Sequence, residues 1–346
     1  MAILILKPVE LFFRRAFLRF LRQKGRKGPK GFVEFSIPES PSILILRQDR
    51  LGDVMMSTFL IGAFREKYPK SKIGILLGKN NVAVFPLLPF DCEKYLYSKN
   101  IIADIKELRK IRREKFDYAI DMTDKASVTS SILLSFIGAR VNVGIAKEND
   151  VMYDIVVPRP SQMEVHITER VAELLRPFGI DPNSVDKRPR LKLSPQRQKG
   201  RIGLNVSSRT ADRSLPPKVS AEIAKGVIKM GMNEVVVFSA PHDRMRGEET
   251  VLLANDAKIQ EAPRVADLSE FANQIASCEY LITADTSVIQ IAASVGIPMV
   301  LLFRPMADEH PWTPVGVPFE IHTQYPSLAA LEAKPVLDLF RKLIAQ

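Results

Sequence analysis

The sequence predicts an α/β protein of two doubly wound, Rossmann-like domains, and three observations carry that expectation. From residue 43 onward, short apolar, β-branched runs alternate with stretches of helical periodicity. The runs are almost wholly apolar, as parallel strands are when helices cover both faces of their sheet. The rhythm occurs twice, on either side of a stretch rich in Pro, Lys and Arg at residues 181–200. A length of 346 residues agrees, at roughly 150 residues per domain.

In the first half, residues 42–46, 72–77, 116–121 and 140–145 read as strands, and 54–67, 101–113, 127–137 and 166–178 as helices. In the second, 201–206, 234–239, 280–283 and 298–303 read as strands and 219–230, 268–277 and 287–295 as helices, before a last helix at 328–345. The expected organisation is a basic extension at 1–41, a domain at 42–185, a linker at 186–200, a second domain at 201–326 and a C-terminal helix at 327–346. A cleft is expected between the domains. No period of about 20–50 residues recurs, which excludes a solenoid.

Composition narrows the function classes. Hydrophobic residues make up 46% and charged residues 26%, as in an ordinary globular chain. No apolar run approaches the ~20 residues of a membrane span. Cys92 and Cys278 lie too far apart for a zinc spacing, and no disulfide framework is expected. The net charge is +11, and residues 1–40 carry nine Lys/Arg against three Glu, so +6 sits there. A basic surplus of this kind points to a polyanionic partner. No nucleic-acid-binding motif accompanies it, so nucleic acid is not expected.

Within that extension, Val9, Phe12, Phe13, Ala16, Phe17 and Phe20 share one arc of a helix over residues 8–22. Arg14, Arg15, Arg19 and Arg22 lie on other sides, with Leu11, Leu18 and Leu21 among them. A flexible basic run with Gly25, Gly28, Pro29 and Gly31 follows. Such a segment either inserts at an anionic lipid interface or packs on the main body. Arginines inside the apolar stretch argue against a cleavable signal peptide.

Three turns could carry chemistry, each leaving the carboxyl end of an expected strand, where doubly wound domains bind ligands. The first is Arg47-Gln48-Asp49-Arg50-Leu51-Gly52-Asp53. It lacks the G-x-G-x-x-G of dinucleotide-binding domains. Asp53 opens the following helix, as an N-cap or as a general base. The second is Asp285-Thr286-Ser287, whose position before a helix offers backbone N–H groups to an anion, or simply caps that helix. The third runs from Asn205 through Ser207 and Ser208 to Arg209, Asp212 and Arg213, where arginines could clamp a phosphate or be solvated loop charges.

Together these turns resemble the family 9 glycosyltransferases, the lipopolysaccharide heptosyltransferase family. The first strand and turn read ILILRQDRLGD over residues 43–53, and Tyr68-Pro69 follows the first helix. The F-D-x-x-I-D strand spans residues 116–122, Gly138-Ala139-Arg140 ends a small-residue helix, and His166 opens a helix with a late Gly179. In the second half come the G-x-N strand at 203–208, Arg213-Ser214-Leu215-Pro216, and DTSVIQIAASVGIP at 285–298. Phe303-Arg304-Pro305 and Trp312-Thr313-Pro314 complete a resemblance covering residues 42–324.

The resemblance implies a GT-B fold, with an N-terminal acceptor domain and a C-terminal donor domain. It implies an inverting transfer from a nucleotide-sugar donor such as ADP-heptose to a lipid-linked or lipopolysaccharide-type acceptor, with no metal or cofactor. Asp53 would be the base. Asn205, Ser207, Ser208, Arg213, Asp285, Thr286, Ser287 and Gln290 would bind the donor, and Arg47 and Arg50 the acceptor. The implied location is the cytoplasmic face of the bacterial inner membrane, held peripherally through residues 8–30. The family's Gly and His are here Ser287 and Gln290, its aromatic is Leu215, and the Gly of F-G-P is Arg304. These changes leave the donor sugar open, and a weak or inactive sugar-nucleotide-binding paralogue is the alternative.

Overall fold

The computed structural model describes residues 16, 20, 37–161, 164–304, 312–324 and 326–346. The expected basic helix at 8–22 and the run to residue 30 lie outside the described residues, except for Ala16 and Phe20, which are helical and exposed. The chain forms two compact units. One holds the described residues up to Arg50, with Phe59–Val82 and Phe90–Asp186; the other holds Leu51–Thr58, Ala83–Pro89 and Lys187–Gln346.

The first unit is a parallel sheet of β1 (Ser42–Arg47), β2 (Lys72–Gly78), β3 (Glu93–Tyr97), β4 (Tyr118–Asp121), β5 (Val141–Ile145) and β6 (Ile155–Val157). Its order is β3-β2-β1-β4-β5-β6. Ile43, Leu44, Ile45 and Leu46 of central β1 are wholly buried, which is why the strand reads as an unbroken apolar run rather than an alternation. The expected helix at 54–67 is divided into α1 (Leu51–Met56) and α2 (Thr58–Lys67). Ser57 Oγ donates to the Asp53 carbonyl at 2.6 Å and Thr58 Oγ1 to the Met55 carbonyl at 2.6 Å, so side-chain hydroxyls compete for helix acceptors at the break. The unit boundary falls one residue beyond the break, after Thr58, whose Oγ1 accepts the Arg190 N–H of the same unit at 2.7 Å.

Two helices, α3 (Ile101–Glu114) and α4 (Val128–Ile137), bury Ile111, Leu133, Leu134 and Ile137 with Leu44 and Leu46 of the sheet and with Phe116, just before β4. The expected helix at 166–178 is α only over α5 (Ile167–Ala172) and tightens to a 3-10 helix over Glu173–Phe178, which contains Pro177. Proline has no N–H to continue the ladder. Phe178 then meets Phe64 and Tyr118 edge-on, at centroid distances of 4.8 and 5.0 Å.

The second unit repeats the topology with β7 (Arg201–Asn205), β8 (Glu234–Phe238), β9 (Ile259–Glu261), β10 (Tyr280–Ala284), β11 (Met299–Phe303) and β12 (Phe319–Thr323). Its order is β12-β11-β10-β7-β8-β9, again parallel throughout. The helices are α6 (Pro217–Lys229), α7 (Arg244–Ala254), α8 (Leu268–Ala276), α9 (Val288–Ser294) and α10 (Ala333–Ile344). The expected helix at 328–345 begins as a 3-10 turn, Leu328–Ala330, and Leu331 is extended (ψ 140°), so the α-helix starts only at Ala333. Ala333, Val336, Phe340 and Leu343 form its buried stripe. It closes tightly on α6, where a methyl group on Gly226 would lie 2.4 Å from Leu337.

A buried ionic cluster holds the end of β4 in the first unit. Asp121 is fully buried and accepts from Tyr153 Oη at 2.6 Å, Thr123 Oγ1 at 2.7 Å, and Lys147 Nζ at 3.2 Å. Burial alone would raise the Asp121 carboxyl; the Lys147 charge and the hydrogen bonds from Tyr153 and Thr123 outweigh it and hold it below the ordinary value. A depressed carboxyl contributes stability above the unfolded pKa of about 4, lost as pH falls through the lower folded value. Lys147→Met strands the carboxylate and should cost roughly 3–5 kcal/mol near neutrality. In that variant burial dominates, the carboxyl rises above its unfolded value, and part of the loss returns on acidification. Urea midpoints of parent and variant between pH 3 and 8, expected to differ most at neutral pH, check this.

Candidate active site

Both strand orders place a reversal of direction between the first and fourth strands of a sheet, here β1/β4 and β7/β10, where a doubly wound domain opens a crevice for ligands. In each unit a polar side chain at the end of the first strand crosses that reversal. Asn205, last residue of β7, donates from Nδ2 to Thr283 Oγ1 at 2.9 Å and to Thr286 Oγ1 at 3.2 Å. It also reaches the Ser207 carbonyl at 3.2 Å. Arg47, last residue of β1, donates from Nη1 to the Met122 carbonyl beyond β4 at 2.8 Å and to Asp49 Oδ2 at 2.9 Å.

The expected donor residues of the second unit converge around Asn205. Ser207 and Ser208 continue from β7 and are buried. The Ser208 N–H donates to Ser214 Oγ at 2.9 Å, and that hydroxyl donates to the Thr210 carbonyl at 3.1 Å, which folds the loop back on itself. The fold-back brings Arg213, in the 3-10 turn Ala211–Arg213, to the end of β10, where its Nη1 lies 3.6 Å from Asp285 Oδ2. Both side chains remain partly exposed. Thr286 Oγ1 takes the Val288 N–H at 3.3 Å as α9 opens. Gln290, on that helix, is buried. A second arginine joins the loop from outside the expected set: Arg304 Nη1 pairs with Asp212 Oδ2 at 2.6 Å. Arg304 occupies the Gly position of the F-G-P motif, the signal by which it could have been singled out.

Asp53 belongs to this same compact unit. α1 begins at Leu51, ahead of the start at Val54 expected from sequence, so Asp53 is not its N-cap but lies inside its first turn, where it is buried. α1 packs on α9, and a methyl group on Gly52 would lie 3.6 Å from Ser287 Cα and Cβ and 4.0 Å from Gln290 Cγ. The L-G-D and D-T-S turns are therefore neighbours. Of the two arginines expected at the acceptor, Arg50 is exposed, whereas Arg47 is buried and its guanidinium is committed to Met122 and Asp49. Arg47 thus fastens the sheet seam.

Sequence reasoning quoted Asp121 only as part of a strand motif and passed over Lys147 and Tyr153. Their signal was a Lys just after β5 and a Tyr just before β6, which is too generic to select them. Among the described residues no cluster of His, Cys, Asp or Glu could hold a metal ion. Burial pushes the Cys278 thiol up to about 12 and the Cys92 thiol up to about 11, which removes both as thiolate nucleophiles.

The family model of glycosyltransferase family 9 (heptosyltransferase) matches residues 105–326 of this chain. The chain belongs to glycosyltransferase family 9. It is a glycosyltransferase. Solved structures agree on the fold. A family 9 glycosyltransferase from Veillonella parvula superposes with a TM-score of 0.74 at 18% identity, covering 88% of this chain and 97% of that one. ADP-heptose lipopolysaccharide heptosyltransferase II from E. coli gives 0.70 at 20% identity, covering 88% and 99%. E. coli heptosyltransferase WaaC with ADP gives 0.71 at 16% identity, covering 87% and 99%. The two Rossmann-like sheets are those of the GT-B class. Among the described residues no helix is long and apolar enough to cross a membrane.

The apposition of the two turns is open to a size series at Gly52. Alanine places its methyl at ordinary van der Waals distance from Ser287 and should be tolerated. Leucine at this position has to part α1 from α9, with an expected cost of about 1–3 kcal/mol. Melting curves of the two variants check the contact, which is excluded if leucine is as stable as alanine.

Proposed function

We propose that this family 9 enzyme transfers a heptose or similar sugar, with inversion, from a nucleoside-diphosphate sugar to a lipopolysaccharide-type or lipid-linked glycan. The observation that carries the reading is the packing of the Gly52-Asp53 turn against Ser287, beside the Asn205–Arg213 loop. That packing brings the one carboxylate of the L-G-D turn to the turns expected to hold the donor. E. coli WaaC, whose fold this chain shares, carries ADP in its structure, which supports a nucleoside diphosphate as the leaving group here.

In this mechanism Asp53 takes the proton of an acceptor hydroxyl as its oxygen attacks the anomeric carbon. The bond from that carbon to the diphosphate oxygen breaks, and the diphosphate leaves with the electron pair. Attack from the opposite face inverts the anomeric centre. Arg213 neutralises charge on the departing diphosphate by charge-assisted hydrogen bonds, exchanging its 3.6 Å pairing with Asp285 for the ligand. Asn205 fixes the spacing of the two donor turns, Ser207, Ser208, Thr286 and Ser287 line the phosphates, and Gln290 stands where a cationic His would be. Arg50 faces the acceptor, with Arg47 holding its turn in place. The residues at 8–30 would keep the enzyme at the anionic inner face of the bacterial inner membrane, within reach of a lipid-borne acceptor.

Asp53→Asn keeps the size and polarity of the side chain in the first turn of α1 and removes its basicity. The melting temperature and the shift on adding ADP should persist, while sugar transfer to a native glycolipid extract falls by roughly 10²–10⁴. Normal transfer by a normally melting variant overturns the mechanism. A parent that binds ADP-sugars but transfers none of them supports the inactive-paralogue reading, which the Ser287 and Gln290 departures favour.

Arg213→Ala should weaken ADP and nucleotide-sugar affinity by about ten-fold or more, the equivalent of losing a charged hydrogen bond of roughly 1.5–3 kcal/mol. Isothermal titration of ADP against parent and variant measures this, and equal affinities remove Arg213 from the donor site.

A further inference from the structure

The outward face of α3 has the wrong composition for a surface that meets only water. Its start is well fixed: Asn100 caps it, accepting the Ala103 N–H at 3.1 Å. Yet its first turns expose Ile101 at 77%, Ile102 at 70% and Ile105 at 44%. Wound at 100° per residue, these three share an arc of about 140° with Lys106, Arg109, Arg112 and Arg113.

The three acidic residues of the helix all fall outside that arc, and each is engaged elsewhere. Asp104 accepts the Ser98 N–H and hydroxyl at 2.7 and 2.8 Å. Glu107 accepts the Leu96 N–H at 3.2 Å, and Glu114 pairs with Lys72 at 2.6 Å. The outward arc is left with exposed aliphatics and cations only. It also continues onto α4, which packs beside α3. The Arg112 side chain lies within 4 Å of where a Gly138 methyl would stand, at the end of α4, and Phe136 of that helix is 56% exposed.

We propose that this face docks on an anionic lipid bilayer. The isoleucines enter the boundary between headgroups and acyl chains while the cations meet lipid phosphates, the partition expected of an interfacial amphipathic helix. Charge complementarity selects this occupant. A second copy of the chain would bring four cations against four cations, and like charges across an interface are repulsive. The face belongs to the first unit's own fold, and its residues are distinct in sequence from the basic segment at 8–30. The proposal does not depend on the donor chemistry.

The test is sedimentation of the full chain with vesicles of phosphatidylcholine alone or mixed with phosphatidylglycerol, with no donor present. Binding is expected only to the anionic vesicles and should fall with salt. Arg109→Ala with Arg113→Ala should weaken it about 25-fold, at about five-fold per cation removed. Ile101→Asp, Ile102→Asp and Ile105→Asp together should weaken it at least as much, with the melting temperature unchanged because all three are exposed. Both effects should persist in a full chain that also carries Arg14, Arg15, Arg19 and Arg22→Ala. The proposal is overturned if either α3 variant binds within two-fold of its parent, or if the N-terminal substitutions alone abolish binding. It is also overturned if the parent sediments as a dimer that the Ile→Asp variant dissociates, which would assign the face to self-association. Vesicle binding is read without sugar transfer, so failure of the proposed reaction leaves this result standing, and the converse.

Discussion

A parallel sheet covered by helices on both faces can hold polar side chains only at its ends, and the arrangement of this protein follows from that constraint. The strand interiors must be apolar, as Ile43–Leu46 are. Hydrogen-bonding groups are therefore concentrated at the carboxyl ends, above all where the strand order reverses and neighbouring loops diverge. Asn205 is the clearest case. It is buried, and its amide spans from β7 to two threonine hydroxyls at the end of β10. An apolar residue there would leave those hydroxyls without this donor and the two turns without a fixed spacing. The first unit solves the same problem with a charge, through Arg47 and the Met122 carbonyl.

The two solutions differ in consequence. An amide crossing is neutral and makes no demand on the neighbouring Arg213, which faces Asp285 at 3.6 Å. A buried guanidinium needs nearby acceptors, and Asp49 supplies one at 2.9 Å. The first unit accumulates further buried charge next door, in Asp121 with Lys147 and in Asp124 with Arg170 at 3.1 Å. Buried pairs of this kind add little net stability but penalise any rearrangement that separates them. They tie β4, and the segments around Lys147 and Arg170, to one arrangement beside the β1/β4 end.

The central strands were legible in the sequence because burial on both faces leaves an apolar run that few other structures need. The strands β3, β6, β9 and β12 were not read, because they carry polar residues or, in β6 and β9, run for only three residues. They lie toward the sheet edges, and Glu93-Lys94-Tyr95-Leu96-Tyr97 is too polar to stand out. α7 went unread because Met245, Leu252 and Leu253 point outward and no clean apolar stripe marks its inner face. The division of the first helix at Ser57 depends on hydroxyl-to-carbonyl bonds that periodicity does not register. Among candidate site residues, those on turns after central strands were legible from position alone. Burial was not: Arg47 reads in sequence like Arg50, and only packing shows that one faces a seam and the other solvent. The same holds for α3, whose helical period was plain but whose exposed isoleucines become meaningful only once its inner face is known.

Ser287 is the departure that bears most directly on whether the site can work. The family's glycine at this point lets backbone approach a phosphate, and a side chain there has to go somewhere. In this structure Ser287 Cα and Cβ lie against Gly52, at a distance where even a methyl group would fit. The serine side chain is thus accommodated on the α1 side of the turn, opposite a residue with no side chain of its own. Its presence does not push α9 away from α1, and Asn205 still reaches Thr286 at 3.2 Å. A hydroxyl at this turn can donate to a phosphate oxygen where glycine offers only its backbone N–H. The Gln290 departure is different in kind. A buried neutral amide can hold a fixed polar group but cannot supply a cation, so in the proposed reaction Arg213 would carry the neutralisation of the leaving diphosphate. Arg304, in place of another family glycine, brings a second guanidinium to the same loop through Asp212. The chain has lost one ionisable group near the proposed leaving group and gained a permanent one, which is a change in how charge is supplied rather than its removal.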